Sequence, residues 1–151
     1  MVVAGQAGGL CVWDLNEAEA AGEYHFTQAV LALAYSPSGK LLAAASQDGT
    51  ARVFSSYELS PKFNELAHAQ RAPITSVAFS PDEDWLATGC ADGTARLWDS
   101  QTGLLLTSWL VHDGPVTALA FQPDGRVLAT AAGDGKLRLW DFSARRPECG
   151  H

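Results

Sequence analysis

Three short markers recur along the chain in phase. An aromatic residue followed by a small or acidic one closes an apolar run at Trp13-Asp14, Phe54-Ser55, Trp98-Asp99 and Trp140-Asp141. A proline turn falls at Ser36-Pro37-Ser38-Gly39, Ser80-Pro81-Asp82-Glu83 and Gln122-Pro123-Asp124-Gly125. An Asp-Gly pair stands at Asp48-Gly49, Asp92-Gly93 and Asp134-Gly135. One spacing of roughly 42 residues fits all three. A fixed period of that size means a stacked array in which no unit buries its apolar face alone.

Within a period the pattern is that of strands. Ile74 to Phe79 and Val116 to Phe121 alternate apolar residues and stop at a proline turn, and Val30 to Tyr35 does the same earlier. Trp85 to Cys90, Val127 to Ala132 and Leu41 to Ser46 are the second strands. The Asp-Gly pairs then turn the chain, because glycine accepts positive φ and aspartate favours hairpin turns. Ala51 to Phe54, Ala95 to Trp98 and Leu137 to Trp140 are third strands, and Phe63 to Ala67 and Leu104 to Trp109 are fourth strands. The Ala/Glu-rich stretch from Asn16 to Glu23 is expected to be a loop.

Composition narrows the class. Of the 151 residues, 47% are hydrophobic and 18% charged, which excludes a chain too polar to form a core. No apolar run is long enough for a membrane-spanning helix. The net charge of −7 gives no basic footprint for phosphates, so nucleic acid is disfavoured as a partner. Cys11, Cys90 and Cys149 are too few and scattered for a disulfide framework, and an odd count fits a reducing, intracellular setting, cytoplasmic or nuclear. Cys149 and His151 form a terminal pair, far short of a four-ligand zinc set. No glycine-rich loop leads into a helix to cradle a phosphate. No metal or cofactor is expected.

The period and the Trp-Asp closures resemble WD40 repeats. The resemblance runs from about Val2 to Asp141, with units closing near 14, 55, 99 and 141, and leaves 142–151 as a C-terminal tail. It implies an all-β propeller, built of four-stranded blades around a channel. The strand count gives about three and a half blades, so the chain reads as an arc of a larger propeller. Its open blade edges are then expected to associate, with another copy or with further blades.

The resemblance also implies a structural tetrad in each blade. Two sets are complete: His68, Thr88, Asp92 and Trp98, and His112, Thr130, Asp134 and Trp140. In each, the aspartate is expected to accept from the imidazole, the imidazole to meet the hydroxyl, and the hydroxyl to meet the indole N–H. A degenerate set keeps His25 and Asp48, with Ala44 for the hydroxyl and Phe54 for the tryptophan. In the first unit Val3 and Ala7 take the hydroxyl and aspartate places. A hydroxyl, a histidine and an aspartate also make a catalytic triad, but a triad needs an exposed nucleophile beside an oxyanion hole. A buried set that recurs in successive units is scaffold.

Strands of such a fold are framework and its loops carry function. Gln47, Gln70, Arg71, Ala91 and Asp113 fall on loops of one face and are candidate partner contacts. Tyr57, in the inserted Tyr57 to Lys62 connection, is another. Trp85 and Trp109 are expected to pack between blades, and Arg96 and Arg138 to lay their stems over neighbouring ones. The resemblance implies a non-catalytic scaffold on which other proteins assemble. The alternative is a regulatory or sensor segment of a larger enzyme, such as an NTPase-linked protein, whose catalytic domain lies elsewhere.

Overall fold

The computed structural model describes residues 2–4, 8–14, 19–63, 65–68 and 71–143. These form fourteen strands in four antiparallel sheets. The first sheet holds β1 (Val2–Ala4), β2 (Gly9–Asp14) and β3 (Glu19–His25). The second holds β4 (Val30–Tyr35), β5 (Leu41–Ser46), β6 (Thr50–Ser55) and β7 (Leu66–Ala67). The third holds β8 (Ile74–Phe79), β9 (Trp85–Cys90), β10 (Thr94–Asp99) and β11 (Leu105–Leu110). The fourth holds β12 (Val116–Phe121), β13 (Val127–Ala132) and β14 (Leu137–Asp141). Strands are neighbours in chain order within every sheet. Among the described residues there is no helix long and apolar enough to cross a membrane.

The repeat extends to irregularities. The pairing of the first strand slips at the same place in three sheets: between Val30 and Ala32, Ile74 and Ser76, and Val116 and Ala118. Such a bulge bends the strand and raises its twist. The extra residue is bonded where it can be: Thr75 Oγ1 donates to Gly89 O at 3.1 Å and Thr117 Oγ1 to Ala131 O at 3.2 Å.

The core lies between sheets. Ala43, Ala45, Ala51 and Val53 of the second sheet meet Ile74, Val77, Phe79, Leu86 and Trp98 of the third. Leu10 and Val12 of the first meet Leu42, Ala44 and Phe54 of the second. Small residues on one face let the next sheet approach closely, and large ones on the facing side fill the gap. Trp85 and Trp109 do lie between sheets: Trp109 stacks on Trp140 at 5.8 Å, and Trp85 meets Phe142 edge-on at 5.7 Å. Phe142, the first residue of the expected tail, is therefore a core residue.

The arrangement is open rather than closed on itself. Ala95 and Leu97 of the third sheet are 0% and 3% exposed beneath the fourth, whereas Leu137 and Leu139, their counterparts in the fourth, are 66% and 67% exposed.

Two local expectations change. Of the loop expected from Asn16 to Glu23, residues 16–18 lie outside the described residues, and the rest belongs to the strand Glu19–His25, paired along the whole of β2. Cross-strand bonding overrides weak β propensity, and Gly22 leaves room for the Glu58 carbonyl and Leu59 Cβ to press against it. The fourth strand of the second sheet shrinks from Phe63–Ala67 to Leu66–Ala67. The inserted connection bridges Pro61 to Phe54 instead of extending the ladder.

Candidate functional site

Strand alternation gathers the Asp-Gly hairpins and the segments leading into each first strand at one end of the sheets. There the sheets are tied by a repeated backbone device. The carbonyls of Gly8, Gly49 and Gly93 accept from the amides of Phe26, His68 and His112, each at the entry to the next sheet, at 2.9, 3.2 and 3.2 Å. Gly49 and Gly93 have φ of 81° and 85°. A Cβ at Gly49 would lie 2.4 Å from the Arg71 backbone, and one at Gly93 would lie 2.3 Å from His112 O. Only glycine meets both demands.

Beneath this device runs a chain of side-chain hydrogen bonds. Trp98 Nε1 donates to Thr88 Oγ1 at 2.9 Å, and Thr88 Oγ1 lies 2.7 Å from His68 Nε2. The ring's other nitrogen, Nδ1, lies 3.1 Å from Thr94 Oγ1, which donates to Asp92 Oδ1 at 2.6 Å. The hydroxyls thus pass the bond in one direction, from indole to carboxylate, around a neutral imidazole. Burial, then the positive charge of Arg96, pushes the His68 pKa down to about 4. Asp92 is held below the usual carboxylate range; burial acts upward, but the bonds from Thr94 outweigh it. The expected direct bond from His68 to Asp92 is absent, because the Thr94 hydroxyl occupies that place.

The next repeat is tighter. Trp140 Nε1 donates to Thr130 Oγ1 at 3.1 Å, Thr130 Oγ1 lies 3.0 Å from His112 Nε2, and His112 Nδ1 reaches Asp134 directly at 3.0 Å. Lys136 stands where Thr94 stood, so no hydroxyl intervenes. The His112 and Asp134 side chains are 0% and 7% exposed. Burial acts to raise the Asp134 pKa, but the Lys136 amide, the His112 ring and the Asp113 amide carry it down to about 2.

In the second sheet the histidine assignment moves. His25 was expected beside Asp48; instead it is exposed and pairs with Glu23 at 2.7 Å. The residue that bonds to Gly8 O, as His68 and His112 bond to their glycines, is Phe26. Phe26 is buried and meets Phe54 edge-on at 6.2 Å, with Tyr24 against both rings. This repeat replaces the polar relay with an aromatic cluster around Ala44. Asp48 accepts from Thr27 Oγ1 at 2.6 Å and from the Thr50 amide at 2.9 Å. Phe26 stands 18 residues before Ala44, as His112 stands before Thr130, so spacing marked the place; the histidine residue type drew the expectation one position early, to His25. Val3 has no described side chain, and Ala7 lies outside the described residues.

The candidate contacts divide between the two ends. Gln47, Arg71, Ala91 and Asp113 lie at the hairpin end; Gln47, Arg71 and Asp113 are exposed and Ala91 is half-buried. Gln70, Cys149 and His151 lie outside the described residues. Arg71 takes φ of 51° and pairs with Glu65 at 3.2 Å, and Glu65 also holds Arg52. Arg52 in turn lies over the Tyr24 ring at 5.5 Å. Tyr57 is exposed at the opposite end, beyond β6, with the proline turns. Arg96 reaches the preceding sheet, donating from Nη1 to Ala67 O at 2.7 Å.

Comparison with known proteins agrees with this geometry. A family model described as "WD domain, G-beta repeat" matches residues 22–55, 61–99 and 103–141. No curated protein matches the chain. Among solved structures, the crystal structure of the computationally designed Ika4 protein is similar. It has a TM-score of 0.83 and 28% identity, over 93% of this chain and 83% of that one.

Proposed function

Because the chain belongs to the WD40 repeat family, we propose that it is a non-catalytic platform that gathers other proteins into a complex through the hairpin ends of its blades. The observation that carries this reading is the contrast between the two layers of that end. The His68–Thr88–Asp92–Trp98 and His112–Thr130–Asp134–Trp140 sets serve as internal bracing, and their hydroxyls are buried and taken up by indole and imidazole. Above them, Gln47, Arg71 and Asp113 stand in solvent on loops fixed to the bracing. Rigid scaffold under exposed polar loops suits recognition, since contacts made by preordered groups cost less entropy.

The test is cross-linked affinity capture with the parent chain, an Arg71→Ala/Asp113→Ala variant and Tyr57→Ala. Partners lost with the double variant, at unchanged melting temperature, support the hairpin end. Loss only with Tyr57→Ala moves the surface to the opposite end. A set of partners unchanged by either variant counts against this reading.

Self-association is a second reading, favoured by the uncovered face of the fourth sheet. Leu137 and Leu139, with Ala118 and Ala120, repeat the pattern that the following sheet covers at Ala95 and Leu97. Light scattering across a concentration series is expected to show oligomers that Leu137→Glu/Leu139→Glu disperses. A parent chain that stays monomeric throughout would refute it.

A further inference from the structure

We propose that His68, Cys90 and Asp92 form a binding site for a borderline-soft divalent cation of the zinc class, clamping the entry segment of β8 to the β9–β10 hairpin. The donor atoms of the three side chains all lie within 4.8 Å of one another. They are an imidazole nitrogen, a sulfur and a carboxylate oxygen, the ligand types that zinc takes, and three protein ligands leave a fourth position for water.

The two repeats explain why the site exists in one and not the other. In the fourth sheet Ala132 occupies the place of Cys90, and Asp134 closes directly on His112 at 3.0 Å. In the third sheet the carboxylate stands off the ring, and a thiol supplies the third donor. Cys90 is buried, with its Sγ 3.3 Å from Ala72 O, whereas Asp92 is exposed. The cation therefore enters from the side of Asp92.

Binding balances without a redox partner. The Cys90 thiol releases its proton to solvent and ligates as thiolate. For the His68 ring to ligate through Nδ1, the proton that Nδ1 carries in the metal-free relay shifts to Nε2, and Thr88 Oγ1, which donates to Nε2 in that relay, accepts from it instead. Thr94 gives up its contact with Nδ1 and keeps its amide bond to Asp92, 2.9 Å long. Cys90 and Asp92 sit two residues apart across a hairpin and His68 lies 22 residues earlier, so no short spacing announces the set.

The experiment is titration of the chelator-stripped full chain with Co²⁺, then Zn²⁺. The expected result is one equivalent of Co²⁺ giving a thiolate charge-transfer band, displaced by Zn²⁺, with Zn²⁺ raising the melting temperature. Cys90→Ala, which installs the residue found at 132, and Asp92→Asn are each expected to weaken binding. The loss should exceed the roughly 10–100-fold that removal of an outer hydrogen-bond partner costs. Cys11→Ser/Cys149→Ser should leave it unchanged. Circular dichroism of Cys90→Ala checks that the fold persists, so loss of the band reports the ligand. No thiolate band in the parent, or a band and melting shift that survive either ligand variant, would overturn the proposal.

Discussion

The Glu83 carboxylate accepts hydrogen bonds from both the backbone amide and the hydroxyl of Ser38, so the proline turn of the third sheet is tied to that of the second. Glu83 does this from a φ of 64°, in the left-handed region, where the matching residues of the other repeats are Gly39 and Gly125 at 72° and 69°. A side chain in that region costs roughly 1–2 kcal/mol. The bond offsets that cost locally.

Glu83→Ala is expected to be less stable than Glu83→Gly by about 1 kcal/mol, because alanine keeps the strained backbone and loses the bond, whereas glycine loses both. Urea unfolding of the two variants side by side measures the difference. An alanine variant as stable as the glycine variant would show that the turn is unstrained.

Thr88→Val removes the oxygen shared by Trp98 and His68 while keeping the volume. Each orphaned group should cost about 1–3 kcal/mol. Ala44→Thr, which restores a hydroxyl to the second sheet, should give no gain, since Phe26 and Phe54 offer it no partner. Thermal melts that show stabilisation by Ala44→Thr would contradict the aromatic replacement.

Acid should weaken the fourth sheet through Asp134. Its pKa lies at about 2 in the folded chain against an ordinary 3.8. A lowered folded pKa means that the unfolded state binds the proton more readily. The stabilisation is thus complete above 3.8 and lost as pH falls through 2. Asp134→Asn should melt lower than the parent at neutral pH, with the gap narrowing as the pH drops across that window. A gap constant from pH 6 to 2 would contradict the network.

Gly89→Ala looks harmless from the repeat, since Ala45 and Ala131 hold the same place. In the structure a Cβ at Gly89 would lie 2.5 Å from both Ser76 Oγ and Val116 Cγ1. Overpacking of this kind costs about 1–3 kcal/mol. Calorimetry should show a lower melting temperature, and Gly89→Ala/Ser76→Ala should recover part of the loss.

The sequence alone determined the period and the strand order, because these depend on local rules; the two four-residue sets came from the family resemblance, which did not include Thr94. Alternation fixes which residues share a sheet face, Asp-Gly fixes the hairpins, and the intervals from Thr88 to Trp98 and from Thr130 to Trp140 keep hydroxyl and indole on paired strands. It also placed three, four, four and three strands in the four sheets. Tertiary structure decided the rest. Whether His25 or Phe26 enters the second sheet's network depends on which amide reaches Gly8 O, a contact between sheets. Whether aspartate meets imidazole directly depends on one intervening hydroxyl, Thr94 in one repeat and none in the next. Such choices are settled by distances of a few ångströms between segments far apart in the chain, which residue type alone does not reveal.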